Sequence, residues 1–128
     1  MTSTEPPLRV LVVEDESLLA MLIEDVLASE GWEVVASAAT VAEALAAVEQ
    51  GGFDVALLDV NVAGEEMFPV AEALLRRELP LLFASGYGSH GVRRDLRHLP
   101  VIAKPFHPAA LVEALRAAVA EHAGQDPR

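Results

Sequence analysis

Residues 8–15 read LRVLVVED, and this octet decides the fold. A short apolar run, rich in branched side chains, stops abruptly at Glu14 and Asp15. It reads as a β-strand buried on both faces, the kind found inside a parallel sheet. Four further runs follow: residues 32–36 (WEVVA), 55–58 (VALL, then Asp59), 81–84 (LLFA, then Ser85) and 101–103 (VIA, then Lys104).

Helical patterns fill the gaps. Residues 17–29 place Leu18, Leu19, Leu22, Ile23, Val26 and Leu27 on one stripe, with Gly31 as a stop. Thr40 reads as an N-cap with Glu43 as its capping-box partner, and Gly51 and Gly52 end that helix after about Glu49. Residues 66–78 are helical in pattern, with Pro69 tolerable only in the first turn. The stretch 86–99 is the vaguest, and one short helix over 92–97 is expected there. His107 and Pro108 look like the cap and first residue of a last helix running to about Glu121. The tail 124–128 is expected to fray.

Strands that alternate with helices five times predict an α/β fold, a doubly wound five-stranded parallel sheet with helices on both faces. The order 2-1-3-4-5 is common for such a sheet and puts its crevice between strands one and three. The 128 residues fit one domain, with a core over about 8–122.

Composition narrows the function. There is no cysteine, which excludes disulfides and thiolate metal sites. No apolar run approaches a membrane span, and residues 1–7 lack the features of a signal peptide. A cytoplasmic location with no membrane partner is the simplest expectation. The formal net charge of −11 repels phosphate backbones, so no nucleic-acid partner is expected. Arg76 with Arg77, and Arg93 with Arg94 and Arg97, read as solvated helix faces. His90, His98, His107 and His122 lack metal-ligand spacing and read as surface or capping residues.

The chemistry sits where strands end. Glu14 and Asp15, Asp59, Ser85 and Lys104 follow strands one, three, four and five, at the edge where open α/β sheets bind ligands. In the expected order Asp15 and Asp59 face each other across neighbouring strands roughly 4.8 Å apart. Two charges at about 5 Å repel by roughly 3 kcal/mol at an effective dielectric near 20. Protonation, Lys104 or a divalent cation must offset this, and a hard ion such as Mg²⁺ suits a small, partly hydrated carboxylate cluster. With a cation present, Asp59 can attack a phosphoryl donor. The cation and Lys104 would neutralise the phosphoryl oxygens, and the Ser85 hydroxyl can donate to them.

The ordered set VVEDE, LLDVN, FASGY and AKPF resembles the receiver domain of two-component response regulators, over nearly the whole chain. The resemblance implies the receiver/flavodoxin-like fold, with Asp59 as phosphoacceptor in a phosphorelay. It implies Glu14 and Asp15 as the acidic pair, with Asp15 a direct Mg²⁺ ligand (Mn²⁺ the alternative ion), and Asn61 as the donor of a backbone carbonyl to the metal. It also implies Ser85 as switch hydroxyl, Lys104 as phosphate-sensing lysine and a cis Lys104–Pro105 bond. The stretches LDVNVAGEEMFPVAEAL and LPLLFASGYG resemble the single-domain FATGUY-like class. Such a protein is no enzyme toward other substrates and catalyses only its own phosphorylation and dephosphorylation. Its partners would be a sensor histidine kinase or histidine phosphotransfer protein, and a downstream protein reached by contact. Alternatively it would serve as a phosphate sink.

Three residues depart from the pattern. Glu14 stands where an aspartate is commoner, so its longer side chain would hold the metal through water. Ser85 replaces the commoner Thr. Val101 stands where many receivers carry a Tyr or Phe switch, and Tyr87 is the candidate replacement. Ser85 is expected to move toward an attached phosphoryl group, with the glycine-rich loop 86–91 following. Three rival readings rank lower. A phosphate-ester hydrolase would want an acid at position 61, which is Asn. A fold-only interaction module would have no use for the intact Asp15, Asp59, Ser85 and Lys104. Flavin binding would need a phosphate-cradling loop where the acids stand.

Overall fold

The computed structural model describes residues 7–62 and 64–124. Its central sheet is built from β1 (Arg9–Val13), β2 (Glu33–Ala38), β3 (Val55–Asp59), β6 (Leu81–Ser85) and β7 (Val101–Ala103). All pairs are parallel, in the order β2-β1-β3-β6-β7. Counting only these five strands, that is 2-1-3-4-5, as the sequence predicts. The second strand starts one residue after Trp32 and runs on to Ala38, where Glu14 N donates to Ala38 O.

The pleat sorts side chains strictly. Leu11, Val13, Ala56, Leu58, Leu81 and Phe83 point into one core, while Val10, Val12, Val55, Leu57, Leu82 and Ala84 point into the other. Helices α2 (Val41–Gln50) and α3 (Phe68–Arg76) cover the first face. Helices α1 (Ser17–Ser29) and α4 (Pro108–Gly124) cover the second. Inward residues that are apolar on both faces explain why the strands read as continuous runs rather than alternating ones.

The caps behave locally as their residues dictate. Thr40 Oγ1 accepts from Glu43 N at 3.0 Å, and Glu43 Oε1 accepts from Ala39 N at 2.8 Å. Gly31 takes the left-handed conformation (φ 79°) past α1. Pro69 lies in the first turn of α3. His107 Nδ1 accepts from Ala109 N at 3.2 Å, capping α4. That helix continues to Gly124, three residues beyond expectation; the rest of the expected frayed tail lies outside the described residues.

Several expectations fail. Helix α1 does not bury the whole stripe: Ile23 and Leu27 are buried, but Leu18 is 82% exposed and Leu22 51%. A helix with apolar residues most of the way round offers several possible faces, and the sheet takes the one carrying Ile23 and Leu27. Residues 92–97 form no α-helix. Two 3₁₀ turns, Gly88–Gly91 and Arg94–Leu96, span the connection instead; a six-residue segment is too short to hold an α-helix by itself, so packing sets its turns. Residues 66–67, assigned to a helix by pattern, precede it: Glu66 pairs with Asn61 in an antiparallel ribbon of β4 (Asn61–Val62) and β5 (Glu65–Glu66). Among the described residues no helix is long and apolar enough to cross a membrane.

Candidate functional site

The C-terminal ends of β1, β3, β6 and β7 deliver the site. Parallel pairing sets Val13 beside Leu58, Asp59 beside Ala84 and Ser85 beside Ala103. Strand register therefore brings the residues after each run to one rim without any loop having to reach.

Carboxylate oxygens of Glu14, Asp15 and Asp59 lie within 4.8 Å of one another. Glu14 and Asp59 are each 8% exposed, whereas Asp15 is open to solvent. Lys104 supplies the counter-charge: its Nζ donates to Asp59 Oδ2 at 2.8 Å and stands 3.5 Å from Glu14 Oε1. The Lys104–Pro105 peptide bond is cis. Lys104 N also donates to Ser85 O at 2.8 Å, which ties the lysine to the end of β6.

The electrostatics follow from crowding. Burial pushes the Glu14 carboxyl above the usual range, the bond from Glu16 N (3.0 Å to Oε2) pulls it back, and the charge of Asp59 pushes it up again. Burial works to lower the Lys104 ammonium, but its bond to Asp59 and the charges of Asp59 and Glu14 outweigh that, so its pKa is raised and it stays charged. Three acids facing one amine leave the pocket short of positive charge. A hard divalent cation with oxygen ligands fits this donor set: Asp15 faces water, and Glu14 and Asp59 are fixed by hydrogen bonds.

Asn61 lies in β4 with its N–H 3.3 Å from Asp59 Oδ1, so both Asp59 oxygens are engaged. Ser85 is 2% exposed. Its Oγ accepts from Tyr87 N at 3.0 Å. The Tyr87 ring is 82% exposed, and Val101 is partly buried against the core. Any coupling of Tyr87 to Ser85 in this state thus runs through the tyrosine backbone.

Sequence reasoning did not find the short ribbon after Asp59, whose Glu65 Oε1 accepts from Val41 N at 3.0 Å. Two-residue strands leave no periodic signal. Within the arginine cluster, Arg93 binds Glu72 at 2.6 Å and Asp95 at 2.7 Å, and stacks 5.6 Å from the Phe68 ring centre. Arg97 donates to Val92 O at 2.8 Å.

Residues 10–116 match the family model described as "Response regulator receiver domain". The solution structure of SdrG from Sphingomonas melonis Fr1 superposes with a TM-score of 0.78 at 45% identity, covering 89% of this chain and 97% of that one. A solution structure of the BeF3-activated conformation of SdrG from Pseudomonas melonis Fr1 gives 0.75 at 44%, covering 90% and 99%. A CheY-like response regulator receiver domain protein from Methanospirillum hungatei JF-1 gives 0.79 at 26%, covering 94% and 100%. Among curated proteins, the transcriptional regulatory protein PdtaR of Mycobacterium tuberculosis is 29% identical over 117 residues, 88% of this chain but 57% of that protein. The chain thus spans little more than half the length of that relative.

Proposed function

The chain belongs to the response regulator receiver domain family of two-component signalling, and on that premise we propose that it accepts a phosphoryl group on Asp59. The observation that carries this reading is one contact set: Asp59 Oδ2 sits 2.8 Å from Lys104 Nζ in a pocket that also gathers Glu14 and Asp15.

In the proposed reaction an Asp59 oxygen attacks phosphorus, forming an acyl phosphate, while the bond from phosphorus to the donor breaks. The donor is a phosphohistidine on a sensor kinase or a histidine phosphotransfer protein, and its imidazole nitrogen keeps the electron pair. Lys104 holds positive charge beside the transferred oxygens throughout. Glu14, Asp15, Asp59 and the Asn61 carbonyl would hold Mg²⁺, with Mn²⁺ as a substitute. The ion supplies charge neutralisation for the phosphoryl oxygens. Ser85 donates its hydroxyl to the attached group after leaving Tyr87 N.

We read residues 1–128 as one receiver unit acting in the cytoplasm, with no catalysis beyond its own phosphorylation and dephosphorylation. Its output is contact with a downstream protein, or withdrawal of phosphoryl groups from another regulator. The test is transfer of labelled phosphate from candidate histidine kinases, with and without a chelator. Labelling should need the divalent cation and vanish in Asp59→Asn. Labelling that persists in Asp59→Asn overturns the assignment.

A further inference from the structure

The turn over Ser85 contains a close approach that none of the receiver chemistry above requires. A Cβ built on Gly91 would stand 2.3 Å from Ser85 Oγ, whereas its next neighbours, Ser85 Cβ and Tyr87 Cβ, would be at an ordinary 3.5 Å. Gly91 is not in the left-handed region, unlike Gly88 at φ 56°. Its φ therefore does not call for glycine, whereas the space beside the Ser85 hydroxyl does.

The surroundings make this approach consequential. The 3₁₀ turn Gly88–Gly91 is pinned at both ends: His90 N donates to Tyr87 O at 3.2 Å, and Val92, 1% exposed, is buried in the core. The turn therefore holds Gly91 over a hydroxyl that is itself held by Tyr87 N at 3.0 Å.

We propose that Gly91 is a positioning residue: its bare Cα is the wall that lets the Ser85 hydroxyl rest on Tyr87 N, so the position of this turn and the rotamer of Ser85 are coupled. When the hydroxyl swings to another staggered position, the space next to Gly91 empties and Tyr87 N–H loses its acceptor. The turn then settles differently. With valine at 101, this steric link gives the domain a route from Ser85 to its surface that needs no buried aromatic ring. The signalling part rests on the phosphoacceptor reading; the steric part does not.

The test compares wild type, Gly91→Ala, Ser85→Ala and the double variant. Adding a methyl at 91 should evict the hydroxyl. In the unmodified protein the Tyr87 amide resonance should shift and its hydrogen exchange should quicken. Beryllofluoride, a phosphoryl mimic, should bind Gly91→Ala about fivefold tighter, the ratio expected when one ordinary hydrogen bond no longer holds the resting state. In the Ser85→Ala background Gly91→Ala should cost no stability and leave beryllofluoride affinity unchanged, since the clashing oxygen is gone. If Gly91→Ala alone fails to fold while the double variant folds, the steric link is upheld. If both fail, or if the Tyr87 amide is the same in wild type and Gly91→Ala, it is overturned. Absence of beryllofluoride binding to wild type would count against the phosphoacceptor reading instead, and the amide and stability comparisons would still judge Gly91.

Discussion

Lys104 Nζ bridges two carboxylates at once, 2.8 Å from Asp59 Oδ2 and 3.5 Å from Glu14 Oε1, with only 21% of its side chain exposed. One amine thus holds together the ends of β1, β3 and β7. Removing a member of such a pair leaves its partners buried without compensation, which costs more than the pair contributes. Lys104→Met keeps the apolar stem and deletes the charge. It should lower unfolding stability by about 1–2 kcal/mol in cation-free buffer, a figure discounted for partial exposure. Urea denaturation checks this, and an unchanged midpoint would refute the view of Lys104 as the pocket's structural counter-charge.

Glu14 gives the opposite sign. Its carboxyl is held above its usual range by burial and by Asp59, so its ionised form is a strain on the folded state near neutral pH. Glu14→Gln should raise the melting temperature in cation-free buffer, on the order of a few degrees, and weaken Mg²⁺ binding. Calorimetric titration with Mg²⁺ together with thermal melts would show both effects. A lowered melting temperature without cation contradicts the account.

On α1 two leucines nine residues apart should behave oppositely. Leu27 is fully buried and Leu18 is 82% exposed. Leu27→Ala should cost about 2–5 kcal/mol, whereas Leu18→Ala should stay within about 0.5 kcal/mol of wild type. Equal losses at both sites would mean that α1 is rotated from the orientation described.

Arg9 and Asp54 close the opposite rim of the sheet. Asp54 Oδ1 and Oδ2 accept from the Arg9 guanidinium at 3.1 and 3.3 Å, and Oδ2 also accepts from Arg9 N at 2.8 Å. Burial acts to raise the Asp54 carboxyl, but these bonds prevail and its pKa is lowered. A carboxyl lowered on folding contributes stability that is present above its unfolded pKa, near 4, and lost as pH falls through the folded value. Asp54→Asn should therefore cost about 0.5–1 kcal/mol near pH 7, with the difference from wild type vanishing in acid below about pH 4. Denaturation curves at several pH values test this; a gap that widens in acid would be inconsistent with it.

The chain order of residues carried much of this structure. Five short apolar runs determined a parallel sheet, and the polar residues that stop four of them were the pocket residues Glu14, Asp15, Asp59, Ser85 and Lys104. That is legible because strand runs and cap pairs such as Thr40 with Glu43 are local, set by neighbours within a few positions. Only the tertiary structure decided which side of α1 meets the sheet, that residues 88–96 wind as 3₁₀ turns, and that Arg93 spends its charge on Glu72 and Asp95. It alone placed Gly91 against the Ser85 hydroxyl. These outcomes depend on contacts between residues brought together by packing, and no local pattern encodes which of several sterically allowed neighbours a side chain will finally touch.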